Sequence, residues 1–181
     1  MRIEHEIEIT PTSVLLDGQP IATTETGDKM LVELYRRFAG DYPKFFKMDT
    51  LCRLGFIAAE ILLKDKSQIS NMSVILANRS ASIKNDTDYL ATISSGNYYP
   101  SPSLFVYTLP NIVTGEIAIR HHIQGETSFY ILENPAQLEQ IINCQLSIVN
   151  YQLSPLLAGW CECSKPNDFY AKMQIIYGTT D

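Results

Sequence analysis

The chain opens on an alternation. Residues 3–9 set Ile3, Ile7 and Ile9 against Glu4, Glu6 and Glu8, the period-two pattern of a strand with one wet face. Residues 13–22 predict a hairpin partner turning at Asp17-Gly18. The period then changes to that of a helix. Asp28 is a candidate cap for a helix over 29–38, closed by Gly40 and Pro43. Asp49 caps a stronger one, with Leu51, Leu54, Ile57, Ala58, Ile61 and Leu62 at helical spacing to residue 64. Val74-Ile75-Leu76-Ala77 is continuously apolar, as a strand buried on both faces must be. Residues 78–86 are polar and loop-like, a short helix is predicted over 86–94, and 97–102 is turn-rich around Pro100 and Pro102. A helix is predicted from Thr108 to His121 with Pro110 in its first turn, then a break at Gly125 and a strand over 128–132. Asn134, Pro135 and Gln137 make a helix start of N-cap, N1 and capping-box residues. Leu138, Ile141, Ile142, Leu146, Ile148 and Val149 give that helix its apolar face, and strands over 156–163 and 169–177 complete the chain. Helices alternating with buried strands predict an α/β fold with a mixed β-sheet and helices packed on it.

Composition narrows the function. At 181 residues the chain suits one domain over 1–181 that folds without disulfide or metal staples. Fourteen Lys plus Arg against 20 Asp plus Glu, with no clustered positive charge, argue against nucleic acid or an anionic membrane as partner. The apolar run from Leu54 to Leu63 is interrupted by Glu60 and is far short of the ~20 residues a membrane helix needs. With nothing resembling an export signal, the cytoplasm is the expected address. Only 19% of residues are charged, which suggests that part of the surface is covered by a partner.

Beyond pattern, particular stretches resemble a known family. Lys47-Met48-Asp49, the Leu54 to Leu63 helix and Val74 to Ala77 look like the first core helix and strand of β-ketoacyl synthases, the condensing enzymes of the thiolase-like fold. More specific is Ser101-Pro102-Ser103-Leu104-Phe105-Val106-Tyr107-Thr108-Leu109-Pro110-Asn111, continued by Ile112-Val113-Thr114-Gly115-Glu116-Ile117-Ala118-Ile119. It matches the family pattern of Ser-Pro, an aromatic-rich strand end, and a helix carrying Asn, Gly and Ile-Ala-Ile. The resemblance covers 44–164 and implies the N-terminal half of a thiolase-like fold, with 1–43 only weakly matched.

The departures decide what the resemblance implies. The nucleophilic cysteine of active members, on a strand-to-helix elbow, falls here on Asn134 with Glu133 before it, and neither forms a thioester. The family's other catalytic groups belong to a second half that lies beyond this sequence. The implied function is therefore non-catalytic, not that of a 3-oxoacyl-[acyl-carrier-protein] synthase. The expected protein is a chain-length-factor-like subunit pairing with a full-length β-ketoacyl-ACP synthase in fatty-acid or polyketide-type (aryl polyene or related) biosynthesis. An acyl carrier protein is a further expected partner. Two alternatives stand beside this: a residual malonyl-thioester decarboxylase or hydrolase using Glu133 and Asn134, and a self-associating acyl-binding or carrier-protein-docking module.

Acyl-tunnel or interface candidates are Phe105, Tyr107, Leu109 and Asn111, although core packing and a helix start account for the same residue types. Asn134 is equally well a plain N-cap. Tyr98, Tyr99 and Tyr107 suit a half-exposed partner surface or an ordinary loop. Cys161 and Cys163 with His121 and His122 lack the spacing of a zinc site, and Cys144 falls inside a helix, so no metal or other cofactor is expected.

Overall fold

The computed structural model of the protein describes residues 1–67, 69–93, 96, 99–147 and 154–178. Its chain order is β1 (Arg2–Thr10), β2 (Ser13–Leu16), β3 (Gln19–Pro20), α1 (Gly27–Phe38), a 3-10 turn (Pro43–Lys47), α2 (Thr50–Leu63), β4 (Ser73–Asn78), α3 (Ile83–Leu90), α4 (Pro102–Val106), α5 (Ile112–His121), β5 (Thr127–Ile131), α6 (Pro135–Leu146), β6 (Leu156–Lys165) and β7 (Asp168–Tyr177). Seven strands form a single sheet in the order β3-β2-β1-β7-β6-β4-β5. β4 runs parallel to both β5 and β6, and the remaining pairs are antiparallel, so the sheet is mixed as expected.

Helix α2 anchors one face of the sheet. Asp49 accepts a bond from the Cys52 amide at 2.9 Å, and every residue of the helix except Arg53 is buried. A helix apolar on nearly all sides must be enclosed, and α2 packs on β1, β6 and β7 while α1 and α5 flank it. Gly55 permits the approach of α5, because a β-carbon there would stand 2.5 Å from a methyl of Val113. β4 is buried from end to end, with α6 covering its other face.

Residues 1–43, weakly matched in sequence, are integral to this sheet. β1 lies between β2 and β7, and the Asp17-Gly18 turn has both residues at positive φ (52° and 75°), the geometry of a tight type I′ hairpin. Ile7 and Ile9 are fully buried, but Ile3 is 44% exposed because the β1–β7 register shifts between Ile3 and His5 and turns it outward.

Other boundaries also differ from the sequence pattern. Helix α1 begins at Gly27 with Thr26 at the N-cap, so Asp28 lies in its first turn; the Asp28 amide is satisfied by the Asn167 side chain at 3.0 Å. Helix α3 begins earlier than predicted, at Ile83. The stretch from Pro102 is no strand end. Ser101 accepts from the Leu104 amide and Pro102 occupies N1, which starts the short helix α4, and α5 begins only at Ile112. The predicted continuation of α6 through Ile148 and Val149, and the turn at Asn97-Tyr98, lie outside the described residues. Among those described, no helix is long and apolar enough to cross a membrane.

Candidate functional site

Parallel strands gather functional groups at their carboxyl ends, and here β4, β5 and β6 bring Asn78, Ile131 and Glu162 to one rim of the sheet. The loop leaving β4 is held by its own polar residues. Asn78 is wholly buried; its side-chain carbonyl accepts from the Ala81 amide and its NH2 donates to the Ala81 carbonyl, both at 2.9 Å. That bracket holds Ala81 at φ 51°. The Glu162 carboxylate accepts from the Arg79 amide at 2.8 Å and from the Ser80 hydroxyl. The Ser82 hydroxyl then donates to the Thr108 carbonyl at 2.5 Å, and the Asn85 amide donates to the Leu104 carbonyl at 2.8 Å. Ser82 and Asn85 are buried, so they fix the α4–α5 turn to α3. The polarity of 78–86 reads as a solvated loop in the sequence, because composition does not distinguish a buried polar lock from an exposed one.

This lock separates the four tunnel or interface candidates. Phe105 and Leu109 are 56% and 55% exposed, and Asn111 is exposed at the N-cap of α5, its carbonyl accepting from the Thr114 hydroxyl at 2.8 Å. Tyr107 is only 6% exposed. Burial, with Cys52, Glu116, Asp49 and Tyr42 around it, pushes its phenol upward, so it serves this chain's own core. The outward group is extended by Val106 and by Ile83 and Leu90 of α3, with the Tyr89 ring 5.6 Å from that of Phe105. Tyr99 is also exposed, whereas Tyr98 lies outside the described residues.

Across the rim, Asn134 caps α6. Its side chain accepts from the Gln137 amide at 3.3 Å, while the Gln137 side chain reaches back to the Glu133 amide at 2.8 Å. Asn134 has ordinary extended backbone (φ −160°, ψ 161°), unlike the sharp, strained turn on which a nucleophile elbow presents its side chain. Glu133 is exposed, its carboxylate 3.8 Å from Arg79. An open, solvated carboxylate beside a guanidinium has none of the burial that tunes a general acid or base.

The remaining candidates are dispersed. Cys161 and Cys163 point to the same, α2-covered face and are buried; burial pushes the Cys163 thiol up to about 12 and that of Cys161 well above the usual range. His121 approaches Glu60 (3.0 Å) on α2, and Cys144 is exposed on α6. Among the described residues no group of three metal-ligating side chains assembles.

One feature the motifs did not reveal is a charged seam between α2 and α5. Glu60, buried, receives Arg120 at 2.9 Å, and Arg120 also reaches Asp41 at 2.6 Å. Burial pushes the Glu60 carboxyl up, but the bonds and charges of His121 and Arg120 outweigh it and hold it below its ordinary value. Glu116, also buried, holds Lys44 (2.5 Å) and the Tyr42 hydroxyl (3.1 Å), fastening the segment before α2 onto α5. Glu60 interrupting an apolar run was the available signal, since a buried carboxylate requires a partner.

No model of a known protein family matches the chain, and no curated protein matches it. Solved structures do. A ketosynthase (ApeO) in complex with its chain length factor (ApeC) from Xenorhabdus doucetiae matches over 99% of this chain and 79% of that chain, at 12% identity and a TM-score of 0.66. The ishigamide ketosynthase/chain length factor matches over 96% of this chain and 60% of that chain, at 16% identity and a TM-score of 0.70. The chain thus has the mixed α/β, thiolase-like fold of these ketosynthase and chain length factor structures, and the shared fold extends well beyond 44–164.

Proposed function

We propose that the protein is a non-catalytic, chain-length-factor-like subunit that pairs with a ketosynthase in polyketide-type or fatty-acid-type chain building. The observation that carries this reading is fold similarity over nearly the whole chain to components of ketosynthase–chain length factor complexes. The form of the two sheet edges supports it. β3 contributes two exposed residues and offers little to pair with. β5 is a five-residue edge whose bonds to β4 run through residues 126 and 132, so alternation leaves Thr127, Phe129 and Ile131 with backbone groups directed to the open side. Ile131 is exposed at the end of that strand. In this reading β5 and the outward residues Phe105, Leu109 and Asn111 meet the ketosynthase, and the bulk of Phe105 and Leu109 limits the acyl chain the pair accommodates. An acyl carrier protein delivers the chain. Glu133 and Asn134 act as a helix start and not as a decarboxylation site.

The test is co-expression with a full-length ketosynthase encoded beside this chain, followed by size-exclusion chromatography. Co-elution at heterodimer size, lost on Thr127→Pro or Ile131→Lys while circular dichroism is retained, is the expected result. Separate elution overturns the proposal, and a stable dimer of this chain alone that ignores the synthase favours a self-associating module. Carbon dioxide release from malonyl-carrier protein that disappears in a Glu133→Ala/Asn134→Ala double variant reinstates an enzymatic role.

A further inference from the structure

Opposite the α2 side, α6 is the helix that covers the sheet among the described residues, over β4 and β6, and a cleft of about 100 Å³ opens along its flank toward β7. Its walls are apolar. Leu138 and Ile142 lie one turn apart on α6, and β6 supplies Ala158 and Trp160, all four less than one-tenth exposed. The register sets Ala158 opposite Gln174 and Trp160 opposite Lys172, so the small Ala158 leaves the hollow and the indole forms its side. An engineered apolar cavity of roughly 150 Å³ encloses benzene; this hollow is smaller and open on one side, so it suits the edge of one ring, the rest of which projects with its substituent through the mouth.

The charges at the mouth select that substituent. Tyr170, Lys172 and Gln174, alternate residues of β7, line it together with Glu139 of α6. The register places Glu6 beside Gln174 and Glu8 beside Lys172. Lys172 stands 3.3 Å from one oxygen of Glu6, and the Gln174 amide donates to the other. Lys172, the lining cation, is thereby spent on Glu6 of the neighbouring strand, which leaves Glu139 as the carboxylate of the lining itself, with Glu8 one strand away. Glu139 is exposed and makes no ion pair among the described residues. A carboxylate beside two aromatic side chains favours a cation.

We propose that this cleft binds a small apolar amine, with the ring or alkyl body against Leu138, Ile142, Ala158 and Trp160 and the ammonium facing Glu139 and the two aromatic rings. The site shares no residue with the β5 edge or the α4 turn, and its occupancy needs no ketosynthase, so it stands or falls separately from the pairing function.

Trp160 is the sole tryptophan, which makes its emission a direct reporter. The full chain is titrated with benzylamine, benzyl alcohol and benzoate, three probes of one ring and different charge. A saturable emission change and a raised melting temperature are expected with benzylamine, weaker binding with the alcohol, and at least tenfold weaker binding with benzoate. Glu139→Gln removes most of the preference for the amine over the alcohol, and Ala158→Leu or Ile142→Phe, whichever retains native circular dichroism, abolishes the response by filling the hollow. No saturable change with benzylamine, binding of benzoate as tight as that of the amine, or an undiminished response in a folded filled variant overturns the proposal.

Discussion

The two faces of the sheet are built to different standards. Toward α2, Ile7, Ile9, Val74, Leu76, Leu157, Cys161, Met173 and Ile175 join α1, α2 and α5 in one continuous core. Toward α6, a smaller cluster of Ile75, Ala77, Leu156, Ala158, Trp160 and Ile176 meets Leu138, Ile142 and Leu146. Beyond β6 that second face becomes Tyr170, Lys172, Gln174 and Glu6, with an ion pair where another layer would otherwise demand apolar side chains. The difference is legible strand by strand. β4 is apolar at consecutive positions because it is covered twice, and β7 alternates because it is covered once. The low charge fraction therefore does not translate into a uniformly apolar sheet face; α3, α4 and the end of β5 carry outward apolar residues, as do Ile3, Phe46 and Ile119 elsewhere.

The contrast is open to direct attack. Phe56→Ala, at a fully buried position on the α2 side, should cost about 3–5 kcal/mol in urea denaturation. A loss comparable to that of a surface substitution would mean the α2 core is not the stabilising one. Removing the buried acceptor in Glu60→Ala should cost about 2 kcal/mol, less than for a fully enclosed pair because Arg120 keeps Asp41 and part of its hydration. Since the folded Glu60 pKa lies below its unfolded value of about 4.3, its contribution is present above that pH and lost as pH falls through the folded value. Wild type and Glu60→Gln should therefore converge in stability in acid.

Asp49 carries the opposite sign. Burial raises its carboxyl to about 6, so ionising it costs stability as pH rises from about 4 to about 6, on the order of 3 kcal/mol. Asp49→Asn keeps an acceptor for the Cys52 amide and should remove that decline; an unchanged pH profile would show that Asp49 does not titrate there. Asn134→Ala should cost about 1 kcal/mol, the value of an N-cap, and leave the proposed pairing with a ketosynthase unaffected in the co-elution test. Smallest is Lys172→Ala on the solvated face, expected within about 0.5 kcal/mol, because its partner Glu6 is itself partly exposed.

Much of the framework was legible because its causes are local. The Asp49 and Asn134 caps, the Asp17-Gly18 turn and the doubly buried β4 each follow from a few adjacent residues, and each holds in the structure. The failures have two origins. Asp28 lost its capping role to a turn at Thr26 and Gly27 that Asn167, 139 residues away, completes. The Ser101-Pro102 start of α4 was a local signal, but the resembled family's pattern implied a strand end there.

By itself the sequence determined the period of most elements, the α/β class and the cap at Asn134, since these depend on neighbours in the chain and on side-chain chemistry. Only the tertiary structure decided that Tyr107 turns inward while Phe105 and Leu109 turn outward, that Glu60 meets Arg120 and His121, and that Ser82 and Asn85 hold the α4–α5 turn. These outcomes depend on which groups are brought together across 19 to 61 positions of chain. A phenylalanine in the core and one at a contact surface are the same residue until packing assigns its face.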